Sequence, residues 1–194
     1  MAKIRNILGF LSKFALVNTI FLIGYMGCGK TTLGTTLAAC MHVPFIDLDD
    51  YIEERCEATV KEIFAKVGEQ GFREIEKRCL EEVAHSEGAI VACGGGTPCQ
   101  PGNMELMNEM GITIWLTTSA ERITSRLVLP EQKAKRPLIA AMDDEQILDY
   151  VRQHLAAREP YYSQAQLTFD STYLESVEEI SNTATQLASV LVNQ

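Results

Sequence analysis

Gly24-Tyr25-Met26-Gly27-Cys28-Gly29-Lys30-Thr31 fits the pattern G-x-x-x-x-G-K-[ST] in full. That spacing builds a phosphate cradle. Its glycines let backbone N–H groups turn inward around phosphate oxygens, and the N-terminus of a following helix adds a partial positive charge. Lys30 has the reach to meet β- and γ-phosphates, and the Thr31 hydroxyl can ligate Mg2+. The pattern requires a strand before it and a helix after it. Thr19 to Ile23 is a short apolar run ending at Gly24, read as a buried parallel strand, and Lys30 to about Met41 is read as a helix. The loop specifies a nucleotide phosphate and leaves the reaction open.

Five further clusters carry usable chemistry. Asp47-Leu48-Asp49 closes a second short strand, Val43 to Ile46. Alternate residues on an extended segment face the same way, so both carboxylates could face the loop, one near a metal and one near an acceptor hydroxyl. Alternatively, Asp49 or Asp50 caps a helix beginning near Tyr51. In Phe72-Arg73-Glu74-Ile75-Glu76 a Glu follows an Arg by three helical positions, which makes them neighbours. Glu76 could fix the Arg73 fork for a carboxylate or phosphate, or the two could form a plain surface ion pair.

Gly94-Gly95-Gly96 follows a third strand and costs backbone entropy. Either a ligand approaches the backbone there or the chain turns tightly. Lys135-Arg136-Pro137-Leu138 lies in a stretch without periodicity, where Arg136 on a flap could swing over a moving phosphate. Arg158-Glu159-Pro160-Tyr161 ends a helix, where Arg158 could serve a ligand or only offset the helix dipole.

The elements that must hold these groups follow from periodicity and capping. Thr59-Val60-Lys61-Glu62 has capping-box form and opens a short helix, followed by a longer one from Glu69 to about His85. Ala89 to Cys93 is the third strand, Asn103 to Met110 a helix, and Ile112 to Leu116 the fourth strand. Thr117 or Thr118 is the expected cap of the helix carrying Arg122 and Arg126. Val128 to Met142, polar with two prolines, reads as a loop or mobile flap. Asp144 to about Ala157 is helical, Gln166 to Phe169 is the last strand, and Ser176-Val177-Glu178-Glu179 opens the C-terminal helix. Strands that alternate with helices imply a parallel sheet covered on both faces. Ligands then bind outside the carboxyl ends of the strands, where every cluster above falls.

The 194 residues, 46% hydrophobic and 22% charged, suit one globular domain with a substantial core. A net charge of -9 argues against a nucleic-acid partner. Six cysteines without a CxxC pair read as reduced thiols of a cytosolic enzyme, and Cys93 with Cys99 lacks the second ligand pair that zinc would need. Residues 1–18 place Lys3, Arg5 and Lys13 among apolar residues. Ser12 and Lys13 interrupt the apolar stretch a signal peptide needs, and the segment is too short and charged to span a bilayer. It is expected to be an amphipathic or frayed leader without stable membrane association.

Taken in order, GYMGCGKTT, DLD, FRxxE, GGG, RPL and RxPxY resemble the shikimate kinase family from about Thr19 to the C-terminus. The resemblance implies a P-loop NTPase fold like that of nucleoside monophosphate kinases, with a mobile lid at about residues 128–142. It implies transfer of the γ-phosphate of ATP, with Mg2+, to the 3-hydroxyl of shikimate on the route to chorismate and aromatic amino acids; a cytoplasmic monomer is expected. Gly27, Cys28, Gly29, Lys30, Thr31 and Thr32 then hold the nucleotide phosphates, and Arg126 lies against adenine. Thr31 ligates the metal and Asp47 supports it through water. Asp49 holds the acceptor hydroxyl, while Arg73, Gly94, Gly95, Gly96 and Arg158 contact shikimate. Arg136 neutralises the transferring phosphate and joins Lys30 and Asp49 in catalysis.

The stretch from Val128 to Lys135 fits the family pattern poorly, and Asp170 to Ser176 lacks the basic residue many relatives carry near adenine. Gluconate kinase and adenylate kinase relatives share the loop, but the GGG turn with RxPxY favours shikimate. A hydrolytic switch protein would show an apolar strand ending in a Walker-B Asp, whereas this one ends in Cys93 and glycines. A binding protein without activity is disfavoured by intact Lys30, Thr31, Asp49 and Arg136.

Overall fold

Strand β1, Thr19–Ile23, is buried at all five positions because it is the centre of the sheet. The computed structural model describes residues 18–192 except 87, 135 and 137, so the expected leader, apart from Asn18, lies outside the described residues. β2 (Phe45–Asp47), β3 (Ile90–Ala92), β4 (Gly111–Thr117) and β5 (Leu167–Asp170) complete a sheet of order β2-β3-β1-β4-β5. All its pairings are parallel, with Ile20 beside both Ile90 and Ile112. A central parallel strand is covered on both faces, which explains an unbroken apolar run.

Alternate β1 residues feed two cores. Phe21 and Ile23 join a cluster with Leu48, Ile52, Phe72, Leu80, Met107, Ile123 and Val151. Ile20 and Leu22 pack on the other face against Leu33, Leu37, Leu187 and Leu191. The first cluster is built by α2 (Leu48–Cys56), α3 (Val60–Ala84), α4 (Asn103–Met110), α5 (Ala120–Leu127) and α7 (Asp144–Tyr162). The second is built by α1 (Lys30–Met41) and α8 (Val177–Val192). The chain leaves β1 towards β2 on one side and later reaches β4 on the other. The carboxyl end of β1 is therefore the switch point where such sheets bind ligands.

Several local expectations need correction. β2 stops at Asp47 and α2 begins at Leu48, so Asp49 lies in the first turn of a helix and not on an extended strand. Asp47 is the N-cap, accepting a hydrogen bond from the Asp49 N–H at 3.1 Å. Acidic residues in a first turn favour a helix start, and this outweighs the alternation that DLD suggests. Ser119, not Thr117 or Thr118, caps α5, its Oγ accepting from the Arg122 N–H at 3.1 Å. Thr117 is still paired within the sheet, opposite Asp170.

Helix α7 continues past Ala157 to Tyr162 with Pro160 inside it. Arg158 therefore sits within the helix and outside its last turn, which removes the dipole-offsetting role. The stretch 128–142 is not wholly irregular: Pro130–Ala134 form a short helix, α6, too brief to show periodicity. The two helices expected from Thr59 onward are the halves of α3, separated at Gly68 by a non-helical φ of 70° and ψ of -176°.

Candidate active site

The loop between β1 and α1 takes its shape from its glycines. Gly29 has φ 100°, and a Cβ there would stand 2.2 Å from Leu174 Cδ1. It is also the N-cap of α1, and no side chain caps that end, so first-turn N–H groups point into the loop. Gly24 has φ 138°, and a Cβ there would meet the Leu116 carbonyl oxygen at 2.7 Å. Lys30 Nζ donates to the carbonyls of Gly24 at 2.9 Å and Tyr25 at 3.1 Å. Cys28 is 1% exposed, so only its backbone can face a ligand.

A cleft of about 790 Å³ opens over this loop. Gly27, Gly29, Lys30, Thr31, Thr32, Asp47, Asp49, Gly94, Gly95, Arg126 and Arg136 line it, drawn from the carboxyl ends of β1, β2 and β3 and from α5 and the 128–142 stretch. Thr31 Oγ1 donates to Asp47 Oδ2 at 2.8 Å. A hydroxyl and a carboxylate side by side are hard oxygen donors, the type Mg2+ prefers. Among the described residues, no group of three or more His, Cys, Asp or Glu could hold a metal ion. Two oxygen donors alone would leave an ion held there to draw the rest of its shell from water and phosphate.

Asp49 meets solvent through the cleft mouth yet is hemmed in by protein on its other sides. Burial first, then the charges of Asp47 and Glu76, push its pKa up to about 6 against the opposing pull of Lys30. Such a carboxyl is largely ionised at neutral pH and still basic enough to take a proton.

The triple glycine is the meeting point of two guanidinium groups. Arg158 Nη1 donates to the Gly95 carbonyl at 3.1 Å, and its Cζ lies 5.2 Å from the centroid of the Tyr25 ring. Arg73 packs against Gly96 so closely that a Cβ there would stand 2.9 Å from Nη2. Arg73 Nη1 donates to Glu76 Oε2 at 2.8 Å, and Glu76 is 1% exposed, so the pair is no surface ion pair. The approach of both arginines gives the glycines their physical reason. Arg73, Gly96 and Arg158 do not line this cleft themselves; Arg158 lies against Gly95, which does, and Arg73 against the neighbouring Gly96.

Arg126 ties the loop to the segment after β5. It donates to the carbonyls of Gly27 at 3.0 Å and Thr172 at 2.9 Å, and pairs with Glu175 at 3.0 Å. Arg136 Nη1 donates to the Gln132 carbonyl at 2.7 Å and Oε1 at 2.9 Å. Its partial burial, unrelieved by an acid, lowers its guanidinium pKa.

Sequence reasoning missed Tyr162, whose hydroxyl donates to the Gly95 carbonyl at 2.6 Å. Burial pushes its phenol pKa well above the usual value. It is the Tyr of RxPxY, so the signal was present in the motif. Thr97 and Glu175 were missed as well, and no local pattern marks either. The assembly offers anion donors for a nucleotide, a poised carboxylate and two arginines for a second anionic group, side by side.

The family model described as shikimate kinase matches residues 26–189. Shikimate kinase of Bacteroides thetaiotaomicron is 44% identical over 172 residues, 89% of this chain and 97% of the relative. That of Bacteroides fragilis is 45% identical over 172 residues, 89% of this chain and 95% of the relative. The solved shikimate kinase from Bacteroides thetaiotaomicron gives a TM-score of 0.85 at 44% identity, covering 90% of this chain and 98% of its own. The Acinetobacter baumannii enzyme, solved in complex with shikimate, gives 0.78 at 31% identity, covering 94% and 97%.

Proposed function

The chain belongs to the shikimate kinase family, and from that premise we propose that it transfers the γ-phosphoryl group of ATP to the 3-hydroxyl of shikimate. The products are shikimate 3-phosphate and ADP, on the route to chorismate and the aromatic amino acids. The observation that carries this reading is the convergence of Arg73 and Arg158 on the Gly95–Gly96 turn, next to Asp49 and the phosphate loop.

Each residue then has a task. The first-turn N–H groups of α1 and Lys30 receive the β- and γ-phosphates, with phosphate oxygens replacing the Gly24 and Tyr25 carbonyls at Nζ. Gly27, Gly29 and Thr32 shape the phosphate cradle, and Arg126 borders the adenine. Thr31 would ligate Mg2+ through its hydroxyl oxygen while its O–H still donates to Asp47, which would support the ion through water. When bound, the ion offsets phosphate charge. Shikimate's carboxylate lies between Arg73 and Arg158, and Gly94 to Gly96 let it approach the backbone.

Asp49 accepts the proton of the 3-hydroxyl as that oxygen attacks the γ-phosphorus and the bond to the ADP oxygen breaks. Arg136, on a lid of about residues 128–142, exchanges Gln132 for the oxygens of the phosphoryl group in transit. Residues 19–194 form the kinase domain. Residues 1–18 supply no group to this chemistry. The enzyme is proposed to work as a cytoplasmic monomer; among the described residues, no helix is long and apolar enough to cross a membrane.

A coupled ADP-release assay with shikimate, gluconate and AMP as separate acceptors tests the proposal. Turnover with shikimate alone is expected. ADP release that is the same with no acceptor, or turnover with gluconate in place of shikimate, would overturn it.

A further inference from the structure

Thr97, directly after the triple glycine, is fully buried and locked at its backbone. Its N–H donates to the Gly94 carbonyl at 3.1 Å, and its own carbonyl accepts from Asn103 Nδ2 at 2.9 Å. With the main chain so held, its hydroxyl donates to Glu76 Oε1 at 2.6 Å, a length typical of a hydroxyl bonded to a charged acceptor. The other oxygen of Glu76 takes Arg73 Nη1 at 2.8 Å. Glu76 thus has one fixed donor on each oxygen, and its carboxylate cannot rotate without breaking a bond.

The environment makes the Thr97 bond consequential. A Cβ on Gly94 would stand 3.2 Å from Glu76 Oε1 and 3.1 Å from Asp49 Oδ1, so a second carboxylate flanks the same turn. Without the hydroxyl, Oε1 would be a buried acceptor with no donor and a like charge close by. Glu76 would be free to turn, and its grip on Arg73 would loosen. Arg73 Nε already has no partner, so the guanidinium depends on Glu76 and on the looser contact with Glu69 at 3.6 Å.

We propose that Thr97 is a positioning residue for the acceptor: its hydroxyl fixes Glu76, and Glu76 in turn fixes the Arg73 fork that takes the acceptor's carboxylate. This rests on the reading that Arg73 binds shikimate.

The test is a double-mutant cycle of Thr97→Val and Arg73→Ala, with Thr97→Ser as the conservative rescue. The readouts are kcat, the KM for ATP and kcat/KM for shikimate. Thr97→Val is expected to lower kcat/KM for shikimate about tenfold, the effect of losing one charge-assisted hydrogen bond. The ATP KM should hold, Thr97→Ser should restore most of the loss, and Thr97→Val should add nothing in the Arg73→Ala background. If Thr97→Val yields no soluble protein, Thr97→Ala takes its place in the cycle. An unchanged kcat/KM in the hydroxyl-deleted variant, or the same loss with and without Arg73, overturns the inference. Arg73→Ala without effect on shikimate would instead overturn the acceptor-site reading, and this inference with it.

Discussion

Arg73 and Glu76 are joined at 2.8 Å by a pair whose acid is 1% exposed, and that buried acid aims the guanidinium at the triple-glycine turn. A carboxylate drawn into a partly closed site loses water and needs charged donors in return. Arg73→Ala or Arg158→Ala should raise the KM for shikimate roughly ten- to a hundredfold, each charge-assisted bond being worth about 1.5–3 kcal/mol. The KM for ATP should move much less. Arg136→Ala should instead depress mainly kcat, because its proposed partner is the phosphoryl group in transit. Paired substrate titrations of the three variants distinguish these outcomes.

Lys30→Ala should lower kcat by about 10²–10³ or more, since the ammonium meets charge that grows on the phosphates in the transition state. Its present partners are the carbonyls of Gly24 and Tyr25 and, at 3.9 Å, the Cys28 sulfur, all within the loop itself, so the fold should survive its removal. Single-turnover phosphoryl transfer, with circular dichroism as the folding control, checks both halves.

Asp49 links catalysis to stability. Its pKa stands at about 6 in the folded protein against an ordinary 3.8. A carboxyl raised by folding stabilises the native state below its unfolded pKa, and that contribution is lost as pH rises through the folded value. Ionised Asp49 therefore costs the metal-free protein stability at neutral pH. Asp49→Asn should raise Tm in chelator at pH 7 to 8, with the gain fading as pH falls from about 6 towards 4. The same variant should lose roughly 10²–10⁴ in kcat while binding ATP nearly as before. Thermal melts across pH and an ATP titration measure the two effects separately.

Gly96 has φ -95° and ψ -14°, which any residue adopts, so Gly96→Ala carries no backbone penalty. The added methyl would stand 2.9 Å from Arg73 Nη2 and must push the guanidinium aside. We expect a KM for shikimate raised roughly tenfold with little change in Tm. A large fall in Tm with an unaltered KM would assign the glycine to folding.

The legible parts of the chain were those where one local rule acted alone. The run Thr19–Ile23 read as a buried strand and is one, and the glycines after it marked the turn into the helix that begins at Lys30. Asp47-Leu48-Asp49 fitted both strand alternation and an acidic helix start, and sequence offered no means of choosing; the hydrogen bond from the Asp49 N–H to Asp47 decided for the helix. The helix expected from Asp144 to about Ala157 runs on through Pro160 to Tyr162, whose hydroxyl holds the Gly95 carbonyl 67 positions earlier. Thr97 to Glu76 and Arg126 to Glu175 are likewise contacts between distant segments, made only when the sheet brings its carboxyl ends together.

The most direct measurement of the central claim is the structure of the product. The protein, ATP, Mg2+ and shikimate are incubated together, and the product is read by phosphorus–proton correlation NMR. One phosphorus coupled to the proton at C3 of shikimate, formed in step with ADP, is expected. Phosphorus coupled to the proton of another carbinol carbon, or inorganic phosphate as the only new phosphorus species, would contradict it.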